Sequence, residues 1–496
     1  MVCRFIGTSP ESSSIRPLLR SLCQQLCKMS GETTNIPEDI KSLVEFSPSL
    51  SVDDSGRLLD WLPRDLPDNV YAVLSTLPGE HYQCLPSLKM KLPKESFMKV
   101  PQMPLNEADI ILDNWLKAAK RALQPKQRHE LIISFQECPL PLYLRLAFDE
   151  SRRWKSYTPS KEWDLPPNVK DIILGLFDRV ERIHGKVLVG HALGYITASK
   201  NGLTETELED VLSLDDDVLN DVYQYWTPPI RRLPPLLWIR IRSDIKDYLI
   251  DRGADDTRVI YWYHRQFIEV ARERYLVGEQ AKKIHANLSE YFLGSWAEGK
   301  KKPYVNKKGE KHSDDRLVAG QPMMFDTSDE KPIFNLRKLS ELPYHLIRSI
   351  QLGLLKEKVL FNFGFLLTKI RAKSIDVVLE DFDAALNAFP DDVELDTLDK
   401  TLRLSAVALR TDPRQLATQL IGRLLESTTN SDEFPNMISL IKDAYTSPVP
   451  CLIPSQKCLS SPGGALVASL GISEGCATLL CVQLRWKDRL SRFNDF

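Results

Sequence analysis

Glycine is scarce in this sequence: 22 residues among 496, against roughly 7% in an average protein. Few loops can therefore cradle a phosphate with bare backbone amides, and no G-x-x-x-x-G-K-[ST] run occurs. An excess of one charge is also lacking. With 65 Lys+Arg against 67 Asp+Glu the net charge is −2, which excludes a globally basic nucleic-acid binder while leaving room for a local patch. No uncharged apolar stretch reaches the length of a membrane span. The start, Met1-Val2-Cys3-Arg4-Phe5-Ile6-Gly7, has no secretory h-region, so the expected location is cytoplasmic. Nine cysteines, odd in number and widely spread, make no disulfide framework. Cys23 and Cys27 are spaced i, i+4 on an expected helix, but no Cys or His pair nearby completes a zinc site. The histidines form no H-E-x-x-H pair. No catalytic constellation is read, and the chain is not expected to be an enzyme.

What is present is enough apolar sequence, 43% of residues, for about three domains at roughly 150 residues each. Val2–Gly7 and Val70–Thr76 read as strands separated by helices, implying part of a parallel α/β sheet. From about Pro101 the pattern turns helical. Asn106 is a candidate cap for a helix carrying Ile110, Ile111, Trp115 and Leu116, and another helix starts near Pro141. The proline-rich piece from Tyr157 to Pro167 marks a boundary, and Val169 to Arg182 is amphipathic.

Lys186 to Tyr275 is the most informative stretch. An apolar helix stops at Asn201-Gly202, and Thr204 with Glu207 makes a capping box for the next one. A third helix is expected over Pro235–Leu249, then turn residues Asp251–Thr257 and a strand Arg258–His264 closing a hairpin. That order is a winged-helix module. Lys300 to Lys311 is a basic run in a polar segment read as disordered linker. Helical stripes follow at Leu339, Leu342, Leu346, Ile350 and Leu354, then at Val378, Leu379, Phe382 and Leu386, then at Leu398, Leu402, Leu404 and Leu409. From Thr446 the Pro/Ser/Gly/Cys-rich sequence reads as a poorly ordered tail.

Several segments together resemble the NACHT and WD-repeat domain-containing proteins, a family of STAND-type signal-transduction NTPases. Val2–Ser14 looks like the strand after that family's phosphate loop. Leu59-Asp60-Trp61-Leu62-Pro63 and Val73-Leu74-Ser75-Thr76-Leu77-Pro78 are similar to its helix and sensor strand. Trp238-Ile239-Arg240-Ile241-Arg242 and Trp262-Tyr263-His264-Arg265-Gln266-Phe267 resemble its winged-helix region, and Leu339-Ser340-Glu341-Leu342-Pro343-Tyr344-His345-Leu346 its helical linker before the WD repeats. The resemblance implies a mostly α fold with a partial α/β, NACHT-like remnant. Residues 1–100 would be that remnant, 101–183 a helical lid, 184–297 the winged helix, 298–332 a disordered linker, 333–445 an α-helical array and 446–496 a tail. The phosphate loop, the Walker-B strand and the WD repeats are not found; Ser47 to Asp54, where a buried strand ending in aspartate would stand, is short and polar.

By the same resemblance, His264 matches the histidine that related switches point at an ADP phosphate, and Pro141 the proline that packs on adenine. Thr76 ends the sensor strand. Pro139 stands where the pattern has glycine and Leu77 where some relatives have arginine. The plain readings are a histidine held by core hydrogen bonds, a helix-starting proline and a strand-end hydroxyl bonded to backbone. The expected function is a non-catalytic regulatory or scaffold role through protein contacts, with no cofactor and with an intact family member as one candidate partner. The alternative is an ATP/ADP switch with Mg whose phosphate loop a longer form supplies. A weaker alternative is a winged-helix nucleic-acid binder using Arg231, Arg232, Arg240, Arg242 and Lys246, whose field Asp244, Asp247 and Asp251 offset.

Overall fold

The computed structural model describes residues 15–30, 71, 73–77, 84–159, 163–225, 228–306, 309–326, 332–425 and 434–463. Among these stand nineteen α-helices and three two-stranded antiparallel sheets, so the mostly α class holds. Helix α1 (Ile15–Ser30) buries Leu18, Leu19, Cys23 and Cys27. The expected strand at Val2–Gly7 lies outside the described residues. Of the second, residues 71 and 73–77 form no strand, and Val73 is 97% exposed. An apolar strand is stable only with ladder partners and covered faces, and no described residue supplies them.

After α2 (Cys84–Lys91) come α3 (Leu105–Ala118), α4 (Pro125–Glu137), α5 (Pro141–Ser151) and α6 (Val169–His184). Asn106 does not cap α3: Pro104, two residues earlier, is in the cap position, the helix starts at Leu105, and Asn106 sits in its first turn. Three of the four helices start next to or on a proline, which presets φ where no intrahelical N–H bond is needed. Asn168 caps α6 by accepting from the Asp171 amide at 2.9 Å, and Ile172, Ile173, Leu176, Phe177 and Val180 form its buried face.

The winged-helix order is as expected. It runs α7 (Lys186–Ala198), α8 (Glu205–Leu214), a short α9 (Asp216–Val222), α10 (Pro235–Ile245), then β1 (Leu249–Ala254) and β2 (Thr257–Trp262). Thr204 and Glu207 exchange both bonds of the capping box, at 2.8 and 3.0 Å. The third helix ends four residues early, and most of the expected turn is strand. The true turn is Asp255-Asp256, both at positive φ, the two-residue hairpin turn that Asp tolerates and that matches strand twist. Leu203 adds one residue of a third strand, bonded to Ile260 in both directions. Helices α11 (Arg265–Tyr275) and α12 (Gly278–Leu293) follow. Contacts divide the chain into two compact units. One comprises residues up to Thr197 with Asn201–Leu208 and Pro234–Arg274; the other comprises Ala198–Lys200, Glu209–Leu233 and Tyr275 onward.

Residues 298–332, expected as a disordered linker, carry β3 (Lys301–Val305) paired with β4 (Lys311–Asp315), and β5 (Met324–Asp326), which pairs with β6 (Ile333–Phe334) just beyond that range. The polar composition hid them because cations do the anchoring. Arg316, fully buried, donates to the Ser213 carbonyl at 3.2 Å and to Asp216 at 2.6 Å, and Lys302 donates to the Leu214 carbonyl at 2.9 Å. These are last-turn carbonyls of α8, which lack intrahelical donors and carry the negative end of the dipole. Tyr304 packs beneath the Arg231 guanidinium, 3.7 Å from ring centroid to carbon. Pro303 is tolerated because the Asn306–Glu310 bond sets a register in which position 303 needs no ladder N–H.

The remaining helices are α13 (Leu336–Arg348), α14 (Leu352–Leu355), α15 (Phe363–Ala372), α16 (Ile375–Ala388), α17 (Val393–Thr411), α18 (Leu416–Leu424) and α19 (Pro435–Tyr445). Leu339, Leu342 and Leu346 are buried as the stripe requires, but Ile350 is 55% exposed because α13 ends at Arg348. The described part of the expected tail is docked. The Cys458 and Leu459 amides both donate to the Gly422 carbonyl, at 3.2 and 3.0 Å, and Arg423 reaches the Ser460 carbonyl at 2.9 Å. A Cβ at Gly422 would stand 3.0 Å from Leu459 and 3.2 Å from the Cys458 sulfur. Gly422→Val is therefore expected to lift this strap and raise hydrogen exchange at Cys458 and Leu459 by roughly tenfold or more, with α17 unchanged. Equal protection in the variant would show that the strap does not depend on that approach.

Candidate functional site

In the first unit, the segment before α5, the start of α6 and the start of α11 converge on a broad open groove of about 620 Å³. Cys138, Leu140, Asn168, Val169, Lys170, Asp171 and Gln266 line it. Pro141 follows the lining residue Leu140, and His264 precedes Gln266 by two. The fold thus brings together the neighbourhoods of two candidates 123 positions apart. Thr76 is exposed and is not among the lining residues.

Each candidate also has a local role. Pro141 opens α5, its ring exposed. His264 caps α11: its Nδ1 accepts from the Gln266 amide at 3.3 Å and its carbonyl from the Phe267 amide at 3.1 Å. Burial, then Arg265, push its pKa below the usual histidine range, against the pull of Glu269. A neutral ring matches an accepting Nδ1. Behind it Trp262 donates to Thr197 at 2.9 Å and stacks on Phe267.

The groove does not fit a nucleotide's phosphates. The Asp171 amide at the α6 N-terminus is taken by Asn168, whose amide group in turn donates to the Asp171 carboxylate at 2.7 Å. The lining cation, Lys170, pairs with Glu273 at 2.5 Å. A polyphosphate would meet a carboxylate and an already capped helix end. Leu140, Val169 and Cys138 offer an apolar wall, and burial raises the Cys138 thiol, which disfavours the reactive thiolate.

The five basic winged-helix candidates are largely committed elsewhere. Arg231 is 2% exposed, Arg232 pairs with Asp210 at 2.6 Å, and Arg242 bridges Glu205 and Asp251. Arg240 and Lys246 remain exposed, a small footprint for nucleic acid. Asp215 caps α9, its carboxylate accepting from the Asp217 amide at 3.1 Å.

A buried polar network in the second unit was not legible in sequence. His285 Nδ1 and His345 Nδ1 are 2.9 Å apart; His345 Nε2 faces Glu341 at 3.2 Å; Glu341 pairs with Arg337 at 3.0 Å and accepts from the Lys200 amide at 2.8 Å. Burial alone would raise the Glu341 pKa, yet Arg337 and His345 bring it down to about 2. Burial lowers that of His345, against Glu341. The motif containing Glu341 and His345 was visible, but its partner His285 is 60 residues away. Gly471-Ile472-Ser473-Glu474-Gly475 fits the G-x-S-x-G spacing, by itself a weak signal, and lies outside the described residues. No described helix is long and apolar enough to cross a membrane.

The sequence profile of the NWD1-like winged helix-turn-helix domain matches residues 166–283. Over 96% of its length the chain is 35% identical to NACHT domain- and WD repeat-containing protein 1 of Homo sapiens, covering 32% of that protein. It is 32% identical over 86% of its length to human NACHT and WD repeat domain-containing protein 2, covering 27%. A more distant likeness, 25% identity over 42% of the chain, is to mouse telomerase protein component 1. The chain thus spans about a third of the length of the curated relatives it matches. No solved structure matches.

Proposed function

The chain is a homologue of the NACHT and WD-repeat proteins, and on that premise we propose that it is a non-catalytic regulatory element acting in the cytoplasm through its helical and winged-helix surfaces. It would hold or restrain protein partners, an intact relative being the first candidate. The observation that carries this reading is the groove beside Pro141 and His264. Its helix end is self-capped, its lysine is paired and its aspartate opposes phosphate. The internal pairing of Arg231, Arg232 and Arg242 supports protein over nucleic-acid contacts.

Titration calorimetry of the purified chain with Mg-ADP and Mg-ATP is expected to give no saturable heat. Affinity on the order of micromolar, about −8 kcal/mol, would replace this reading with the nucleotide-switch alternative. Co-sedimentation with an intact relative tests the partner directly.

A further inference from the structure

Three guanidinium groups in the first unit pair with two carboxylates, and a fourth, that of Arg153, follows Arg152 directly in the chain. Asp149, on α5, is 8% exposed. It accepts from Arg145 Nε at 3.1 Å, Arg152 Nη1 at 3.3 Å and the Tyr248 hydroxyl at 3.2 Å. Its neighbour Glu150 pairs with Arg179. Arg153, exposed, acts with Arg179 on the same Tyr248 hydroxyl. Two positive charges are therefore in excess at one spot on a chain whose total charge is −2.

Helix geometry makes this a surface. Positions 145, 149, 152 and 153 are i, i+4, i+7 and i+8, one face of α5 and its continuation. The Arg145 guanidinium lies over Trp115 at 5.4 Å and Phe148 at 5.7 Å, and that of Arg152 over Phe148 at 5.6 Å. Stacking holds the planar forks in place, so little side-chain freedom is left to lose on binding. Both side chains keep access to solvent, 37% and 42% exposed. Lys155 is exposed beside them, and Arg121 ties the adjoining turn through the Trp154 carbonyl at 2.6 Å. Arg152 and Arg153 lie just past the C-terminal end of α5, where the helix dipole favours cations.

The geometry points to this patch as a docking surface for an acidic segment of a partner protein, with two carboxylates about 10 Å apart reaching Arg145 on one side of Asp149 and Arg152–Arg153 on the other. The spacing selects the class. Seven residues of helix rise about 10 Å, and an acidic peptide matches that with carboxylates seven apart in a helix or three apart in a strand. A nucleic-acid strand carries a phosphate at every nucleotide and would set one against Asp149 as well. The inference rests on the regulatory reading above and gives its partner a chemistry.

The probe is a fluorescein-labelled, helix-forming peptide with two glutamates seven residues apart, followed by anisotropy against the full chain at low ionic strength. Saturable binding is expected, weakened about tenfold or more in the Arg152→Ala/Arg153→Ala double variant. Asp149 keeps Arg145 and the Tyr248 hydroxyl in that variant, so it should melt close to the parent; Arg145→Lys, which keeps charge but not the fork, should weaken binding severalfold. A labelled oligo(dT) should be indifferent to the double substitution. Absence of peptide binding, equal binding by the double variant, or tighter oligo(dT) binding lost in that variant would each overturn the proposal, the last in favour of nucleic acid. Nucleotide binding in the calorimetric titration would remove the regulatory reading whatever the peptide does, so the two failures are separable.

Discussion

Glu341→Ala should destabilise the second unit by about 3–5 kcal/mol, the cost of removing one member of a buried ion pair and leaving the other charge behind. Glu341 is fully buried, and its carboxylate meets Arg337, the Lys200 amide and His345 together. Glu341→Gln keeps an acceptor for Lys200 and should lose about 1–3 kcal/mol, as for a hydrogen bond to a charged group. Hydrogen exchange on α12 and α13 reports this unit without interference from the first. Exchange in the alanine variant within about 1 kcal/mol of the parent would sink the argument.

The same network sets a pH dependence. The folded Glu341 pKa, about 2, is below its ordinary 4.5, so its contribution is present above about pH 4.5 and lost as pH falls toward 2. The His345 pKa is pushed below 6.5 by burial. An unfolded chain then binds the extra proton first, and that contribution is complete above about pH 6.5 and declines below it. Acidification should weaken α12 and α13 in two stages, visible as exchange protection that falls below about pH 6.5 and again between about pH 4.5 and pH 2. Protection independent of pH over that range would show that neither group is coupled to folding.

The second large effect belongs to Gly202, at φ +94°. A Cβ there would lie 2.7 Å from the Ile260 carbonyl oxygen and 2.9 Å from a Val259 methyl, so Gly202→Ala meets rigid backbone as well as a conformation that L residues resist. Strain and overpacking together predict about 2–6 kcal/mol lost from the first unit. The lesion falls where the chain feeds Leu203 onto β2, against a core containing Trp262. Gly253→Ala is the control, since nothing lies within 4 Å of its added carbon. Denaturant midpoints read on tryptophan fluorescence should separate the two variants; coincident midpoints would refute the close-approach argument.

Where a local rule decided structure, the sequence carried it. The Thr204–Glu207 capping box, the Asn201-Gly202 stop and the stripe of α6 needed only neighbours within one turn or two. Polar anchoring over distance was not legible. The β3–β4 hairpin is fixed by Arg316, Lys302 and Tyr304, residues that hydrophobic periodicity counts as solvent-facing, and the strap at 458–460 by backbone amides that no side-chain pattern records. At the candidate site, neighbours of Pro141 and His264 line one groove, although Pro141, His264 and Thr76 are not themselves among its lining residues. Asn168, Lys170 and Asp171, which decide what that groove accepts, looked only like the start of a helix.

The carbonyls at the end of α8 carry a consequence in time. Their donors, Lys302 and Arg316, follow them by 88 and 103 residues. A chain leaving the ribosome at about 5–20 residues per second completes α8 roughly 5–20 s before those donors exist. Through that interval the Ser213 and Leu214 carbonyls lack these donors, and Arg231 has no tyrosine ring to lie on. Maturation of the second unit is therefore tied to synthesis of the hairpin, and a ribosome stalled before residue 316 would hold a nascent chain whose winged helix is drawn in outline but not yet fastened.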